Sequence, residues 1–201
     1  MTRVTPILLS ILLASTITFT YSLASQDKNR DDSYAQDACS VTRYHNICIH
    51  SLAPFADKAK DNPIIWARVG VSVTIREAKK LSQYLTKLKG NRGNVTKGRN
   101  IIALSDCLEC FQDTLDNLHK SLGVLRNLSF GEFNSQMEDV TTWVSAALTD
   151  EDTCLDGFGE KKGKRIKTLV NRVSNVSYMT SNALALVNKL ATTGPGGLTN
   201  E

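Results

Sequence analysis

Apolar residues recur at alternating intervals of three and four along Ile101, Leu104, Leu108, Phe111, Leu115, Leu118, Leu122 and Leu125. That spacing keeps one stripe of a helix apolar. A second run, Ile166, Leu169, Val173, Val176, Thr180, Ala183, Val187 and Leu190, repeats it with one Thr admitted. A third reads Phe133, Met137, Val140, Val144 and Ala147, and a weaker fourth reads Ala67, Val71, Thr74, Ala78, Leu81, Leu85 and Leu88. No strand period is long enough to argue for a sheet.

Joints rich in Gly and polar residues separate these stripes: Gly90 to Gly98, Asn127 to Gly131 and Gly157 to Gly163. Short joints between long amphipathic helices force antiparallel neighbours, so the pattern predicts an all-α, up-down-up-down four-helix bundle over residues 63–191. Residues 38–62 hold shorter helical pieces, expected as an N-terminal helical hairpin. They end at Asn62-Pro63, where Pro63 suits the first position of the first long helix. Residues 25–37 carry few apolar side chains and read as a flexible lead-in, and residues 192–201, with Gly194-Pro195-Gly196-Gly197, as a disordered tail.

The start of the chain sets the compartment. Arg3 precedes an apolar run from Val4 through Ser22, and Ser22-Leu23-Ala24 offers small residues for cleavage. Residues 1–24 are therefore expected to be a signal peptide. A spanning helix would need about 20 consecutive apolar residues, whereas this run is diluted by Ser10, Ser15, Thr16, Thr18 and Thr20. Secretion to the extracellular space is expected, with no membrane attachment after cleavage. Three sequons, at Asn94, Asn127 and Asn175, are candidates for N-glycosylation and agree with that route.

The net charge of +4 is mild and does not suggest nucleic acid, though it is compatible with an acidic polysaccharide or an acidic partner. Five cysteines in an oxidising compartment mean two bridges and one thiol. Cys39 and Cys48 would stand about 13 Å apart on a straight helix, so their pairing requires a bend between them. If the helices around Leu115 and Val144 turn back near Ser129 to Gly131, Cys107 stands level with Cys154. Cys110 is one turn out of level, an alternative that a joint of uncertain length leaves open. Pairing Cys107 with Cys154 would contribute roughly 4 kcal/mol through loop closure. Cys110 then remains free, read either as a small buried apolar residue or as a reactive thiol that leaves a dimer open beside a monomer.

No catalytic constellation stands out. His45, His50 and His119 lack metal-ligand spacing, and no metal or cofactor is expected. The stretch Gly93 to Asn100 has Arg99 where a phosphate loop needs Lys and Asn100 where it needs a hydroxyl. The basic run Glu160 to Lys167 reads as a solvated linker or as a contact with a de-esterified, acidic polysaccharide.

Two segments carry a family resemblance. Ala103-Leu104-Ser105-Asp106-Cys107-Leu108-Glu109, continuing through Phe111, Asp113 and Leu115-Asp116-Asn117-Leu118, is one. Trp143-Val144-Ser145-Ala146-Ala147-Leu148-Thr149 followed by Asp152-Thr153-Cys154-Leu155-Asp156-Gly157-Phe158 is the other. Together they resemble the plant invertase/pectin methylesterase inhibitor family, and the segment from Trp143 to Phe158 resembles its pectin methylesterase branch. The Pro-Lys-Phe tripeptide associated with the invertase inhibitors is not found in the last helix.

The resemblance implies that residues 38–191 form an inhibitor domain with two bridges, Cys39 to Cys48 and Cys107 to Cys154, and no activity of its own. It implies a plant pectin methylesterase as partner, held in a reversible 1:1 complex in the cell wall or apoplast, with pectin kept from the enzyme's catalytic aspartates. Acid invertase is the alternative target, and a non-inhibitory secreted helical bundle the reading from another class. Polar residues flanking the apolar stripes are the interface candidates: Asp113, Asp116, Thr142, Thr153 and Asp156. Thr153 and Asp156 stand out because the bridge at Cys154 would fix their backbone.

Overall fold

A computed structural model describes residues 33–90, 99–158 and 163–197 of the chain. The expected signal peptide, the sequon at Asn94 and most of the joints at Gly90 to Gly98 and Gly157 to Gly163 lie outside them. Helix α1 spans residues 33–39 and α2 spans His45–Leu52. A 3-10 turn at Ala53–Phe55 leads into the one-turn α3, Ala56–Ala59. The long helices follow: α4 Pro63–Gly90, α5 Arg99–Arg126, α6 Phe133–Asp156 and α7 Lys164–Thr193.

Asn62 starts α4. Its Oδ1 accepts from the Ile64 and Ile65 backbone N–H groups at 2.9 and 3.3 Å, satisfying donors that have no partner inside the helix, while Pro63 occupies the first turn. The long helices run alternately up and down and close a ring in which each packs on the next and α7 packs on α4. Cross-links mark the antiparallel sense. Arg68 near the start of α4 donates to the Leu125 carbonyl at the end of α5, and Lys89 at the end of α4 donates to Ser105 near the start of α5.

The α7 stripe is buried at every position the spacing names, Thr180 included. On α5 the buried line is shifted. Leu108 and Leu115 are only half-buried and Ile101 is exposed, while Cys107, Thr114 and Ser121 are fully inside. Thr114 Oγ1 donates across to the Ala147 carbonyl of α6, a close approach of the two helices, while Ser121 Oγ is satisfied within α5 by the Asn117 carbonyl. Helix α4 reads weakly because it buries two sides. Val71 and Ile75 join the bundle core, whereas Trp66 and Val73 pack with Met179, Leu186 and the hairpin.

The hairpin is tied down rather than appended. The Cys39–Cys48 bridge holds the end of α1 against the middle of α2 at a Cα separation of 5.8 Å. Buried Asn182 of α7 clamps the turn between them, accepting from the Tyr44 N–H at 3.1 Å and donating to the Tyr44 carbonyl at 3.0 Å. Tyr44 stacks on Tyr178 with ring centroids 4.1 Å apart.

Two boundary expectations are corrected. Residues 33–37, expected to belong to the lead-in, are part of helix α1, with Ala35 and Ala38 buried in the hairpin cluster, and the rest of the expected lead-in lies outside the described residues. A buried face of Ala35, Ala38 and Cys39 is too short and small to stand out in sequence. Residues 192 and 193, expected in the tail, belong to α7, and 198–201 lie outside the described residues. Gly194, at φ 81°, ends the helix, and Pro195–Gly197 forms a 3-10 turn.

Candidate functional site

The α5–α6 pair is the most constrained part of the molecule. Cys107 bonds Cys154 with Cα atoms 4.4 Å apart, and below this bridge Asn117 Nδ2 donates to Asp150 Oδ2 at 3.3 Å. Burial pushes the Asp150 carboxyl above its usual range, and nearby Asp113 pushes it the same way. Cys110 is the free thiol; it is half-buried against the apolar cluster around Phe111. Burial, followed by the Asp150 carboxylate, raises its pKa, so it stays a thiol and packs as an apolar group.

Glu151 sits on the inner side of α6 and is fully buried. Thr180 Oγ1 of α7 donates to its Oε1 at 2.7 Å, and Oε2 has no partner among the described residues. Burial pushes this carboxyl up to about 8, with Asp152 and Asp150 adding to the rise, so it is neutral in mildly acidic surroundings. It is a core group, closed off from any partner.

The outer side is polar. On α5, Asp106, Glu109, Asp113 and Asp116 are all exposed, recurring every three or four residues along one side of the helix. On α6, Thr142, Ser145, Thr149, Thr153 and Asp156 recur in the same way. Thr149 and Thr153 each donate back to the carbonyl four residues earlier, at 3.1 and 2.8 Å, which leaves their oxygens free to accept from a partner.

The five interface candidates do not form one cluster. Thr153 and Asp156 lie at the bridged end, opposite the start of α5, where Gly157 approaches Ala103. Asp113 and Asp116 lie lower on α5. Thr142 is eleven residues before Thr153, about 16 Å along the axis, and lines a separate groove between α6 and α7 with Glu138, Thr141 and Ala191.

Sequence reasoning misses two residues. Ile101 and Ile102 are 41% and 64% exposed at the first turn of α5, the end that also carries Asp106, Thr153 and Asp156. The periodic pattern assigns Ile101 to the core. The available signal is the pair itself, because two adjacent isoleucines cannot both enter a one-stripe core. Of the sequons, Asn127 is exposed just past α5, with Nδ2 donating to the Gly123 carbonyl, and Asn175 is exposed midway along α7.

Among the described residues no group of three or more His, Cys, Asp or Glu side chains could hold a metal ion, and no helix is long and apolar enough to cross a membrane. A stapled helical scaffold presenting a polar face with two exposed aliphatic side chains is the build of a binding protein. The chain belongs to the plant invertase/pectin methylesterase inhibitor family, which matches residues 33–186. It is 47% identical to pectinesterase inhibitor 6 of Arabidopsis thaliana over 163 residues, covering 80% of this chain and 77% of that one. With pectinesterase inhibitor 9 of the same plant it shares 36% identity over 192 residues, 92% of this chain and 93% of the other. The crystal structure of a mutant form of a pectin methylesterase inhibitor from Arabidopsis superposes with a TM-score of 0.63 at 21% identity, over 76% of this chain and 93% of that one, a likeness of fold.

Proposed function

We infer that this chain is a secreted inhibitor of plant pectin methylesterase, acting outside the cell by laying the bridged end of its α5–α6 face across the enzyme's substrate groove. The complex is reversible and equimolar, and the inhibitor contributes no chemistry; it excludes pectin from the groove. The observation that carries the reading is this face. Ile101 and Ile102 supply exposed apolar anchors at the end of the bundle that also carries Asp106, Thr153 and Asp156, on helices held by the Cys107–Cys154 bridge. Interfaces concentrate their affinity in a few such anchors with a polar rim. The staple fixes the backbone before binding, so little conformational freedom is lost on association. A row of carboxylates also suits a groove built to hold an acidic polymer.

Replacing Thr153 and Asp156 together with Ala is expected to weaken inhibition about tenfold, in line with the loss of rim contacts beside an anchor. The melting temperature should not fall, because both side chains are exposed. Unchanged inhibition removes this end of the bundle from the interface. Acid invertase remains the alternative target within the family, distinguished by running the same titration on that enzyme.

A further inference from the structure

Charge is segregated across the bundle. In sequence, α4 and α7 carry eleven Lys and Arg residues against one acidic residue, Glu77, whereas α5 and α6 carry ten Asp and Glu residues against three basic ones. The α4–α7 and α5–α6 pairs are opposite sides of the ring. Folding asks only that outer positions be polar, so it does not account for this sorting by sign.

A furrow follows the α4–α7 seam. One stretch, about 470 Å³, is lined by Glu77, Lys80, Thr168, Asn171, Arg172 and Asn175. Past Glu77 and Asn175 it continues into a stretch of about 580 Å³ between α2 and the bundle, where Arg76 and His50 stand on the walls. Glu77 does not make it acidic, because Lys80 and Arg76 reach its Oε1 at 2.8 and 3.4 Å and leave the trio positive. The Arg172 guanidinium lies over the Tyr84 ring, 4.5 Å from its centroid, which limits its wandering.

We propose that this furrow binds a linear uronate polysaccharide, the de-esterified form of pectin, so that the inhibitor is retained on the product of the enzyme it blocks. That biological sense rests on the inhibitor reading; the binding itself does not. A guanidinium matches a sugar carboxylate with two parallel hydrogen bonds, and the amides and hydroxyl of Asn171, Asn175 and Thr168 suit sugar hydroxyls. A narrow trough fits an extended chain. A bilayer surface fits less well, since surface-lying helices insert apolar side chains. The exposed large apolar residues among those described are Val41, Ile101, Ile102 and Phe130, none of them on α4 or α7.

Asn175 lies in the furrow and heads a sequon, so the test uses oxidised chain from a host that does not N-glycosylate. Binding is measured by affinity electrophoresis in gels containing polygalacturonate or fully methylesterified pectin, with anionic phospholipid vesicles assayed by co-sedimentation. The expected result is retardation by polygalacturonate alone, relieved by salt. It should be reduced at least tenfold in a variant carrying Arg76→Gln, Lys80→Gln and Arg172→Gln. A charge-matched variant off this face, Lys58→Gln, Lys120→Gln and Arg126→Gln, should bind within twofold of the parent. Equal loss in both variants, equal retention by methylesterified pectin, or stronger binding to vesicles would each overturn the proposal. Thermal midpoints check that both variants fold, and esterase inhibition, unchanged in the first variant, is scored separately. An inhibitor that does not bind the polymer and a polymer binder that does not inhibit are thus distinguishable.

Discussion

The two sides of the bundle are held together by different means and carry opposite charge. Helices α5 and α6 are bridged by Cys107–Cys154, joined by the Asn117–Asp150 hydrogen bond, and present carboxylates and hydroxyls outward. Helices α4 and α7 have no bridge. They meet at Gly70, where a Cβ would come 3.0 Å from Leu186 Cδ1 and 3.5 Å from Ala183 Cα, and they present cations along a furrow. Rigidity is concentrated where a protein partner is proposed to dock. Close backbone packing serves where the surface need only offer charge.

Breaking the stapled side should have the largest effect. Replacing Cys107 and Cys154 with Ser removes a cross-link spanning 47 positions, expected to cost about 4 kcal/mol by loop closure. Denaturant unfolding of the oxidised double variant checks this. A loss under about 1 kcal/mol would mean that packing alone fixes α5 against α6.

The buried carboxyl on the inner side of α6 gives the next effect, and it depends on pH. Glu151 titrates near 8 when folded, against 4.5 for a free side chain. Between those values the unfolded chain ionises while the folded protein keeps its proton, so stability falls as pH rises from 4.5 toward 8. Glu151→Gln, which keeps an acceptor for the Thr180 hydroxyl, should leave stability near pH 5 little changed. At pH 8 it should raise it by a few kcal/mol, since each pKa unit of that gap is worth roughly 1.4 kcal/mol. Parallel stability curves for parent and variant between these pH values would contradict the assignment.

On the unstapled side, Gly70→Val should cost about 2 kcal/mol, because its extra carbons meet the Ala183 backbone as well as the flexible end of Leu186. Esterase inhibition should survive at temperatures where the variant is folded, since the change lies across the bundle from α5–α6. Loss of inhibition in folded variant would couple the two sides. The smallest effect on stability is expected from Thr153 and Asp156, whose removal should alter binding and leave the fold as it was.

The four long helices are legible in sequence because most of each buried stripe is apolar, and on α7 every position that the spacing names is buried. The α5 stripe reads one position off in places because its innermost residues include Thr114 and Ser121, which are polar in sequence and buried through hydrogen bonds to helix carbonyls. Glu151 escapes for the same reason: a periodic reading takes a Glu on an amphipathic helix as solvent-facing. The start of α1 is hidden by its small alanines. The site is less legible than the fold, because a docking face is defined by what the helices leave exposed together. Ile101 fits the apolar stripe by spacing, and only its exposure at the first turn of α5, at the bridged end of the bundle, makes it a candidate anchor. The up-down-up-down topology makes α4 and α7 neighbours, but the furrow depends on which outer side chains flank their seam, which periodicity alone does not disclose.

Inhibition is tested most directly by titrating a plant pectin methylesterase with the mature, oxidised protein at mildly acidic pH, beside an acid invertase. Esterase activity is expected to fall to a floor near one inhibitor per enzyme while invertase is untouched. Full esterase activity at a large molar excess of folded inhibitor would contradict the proposed function.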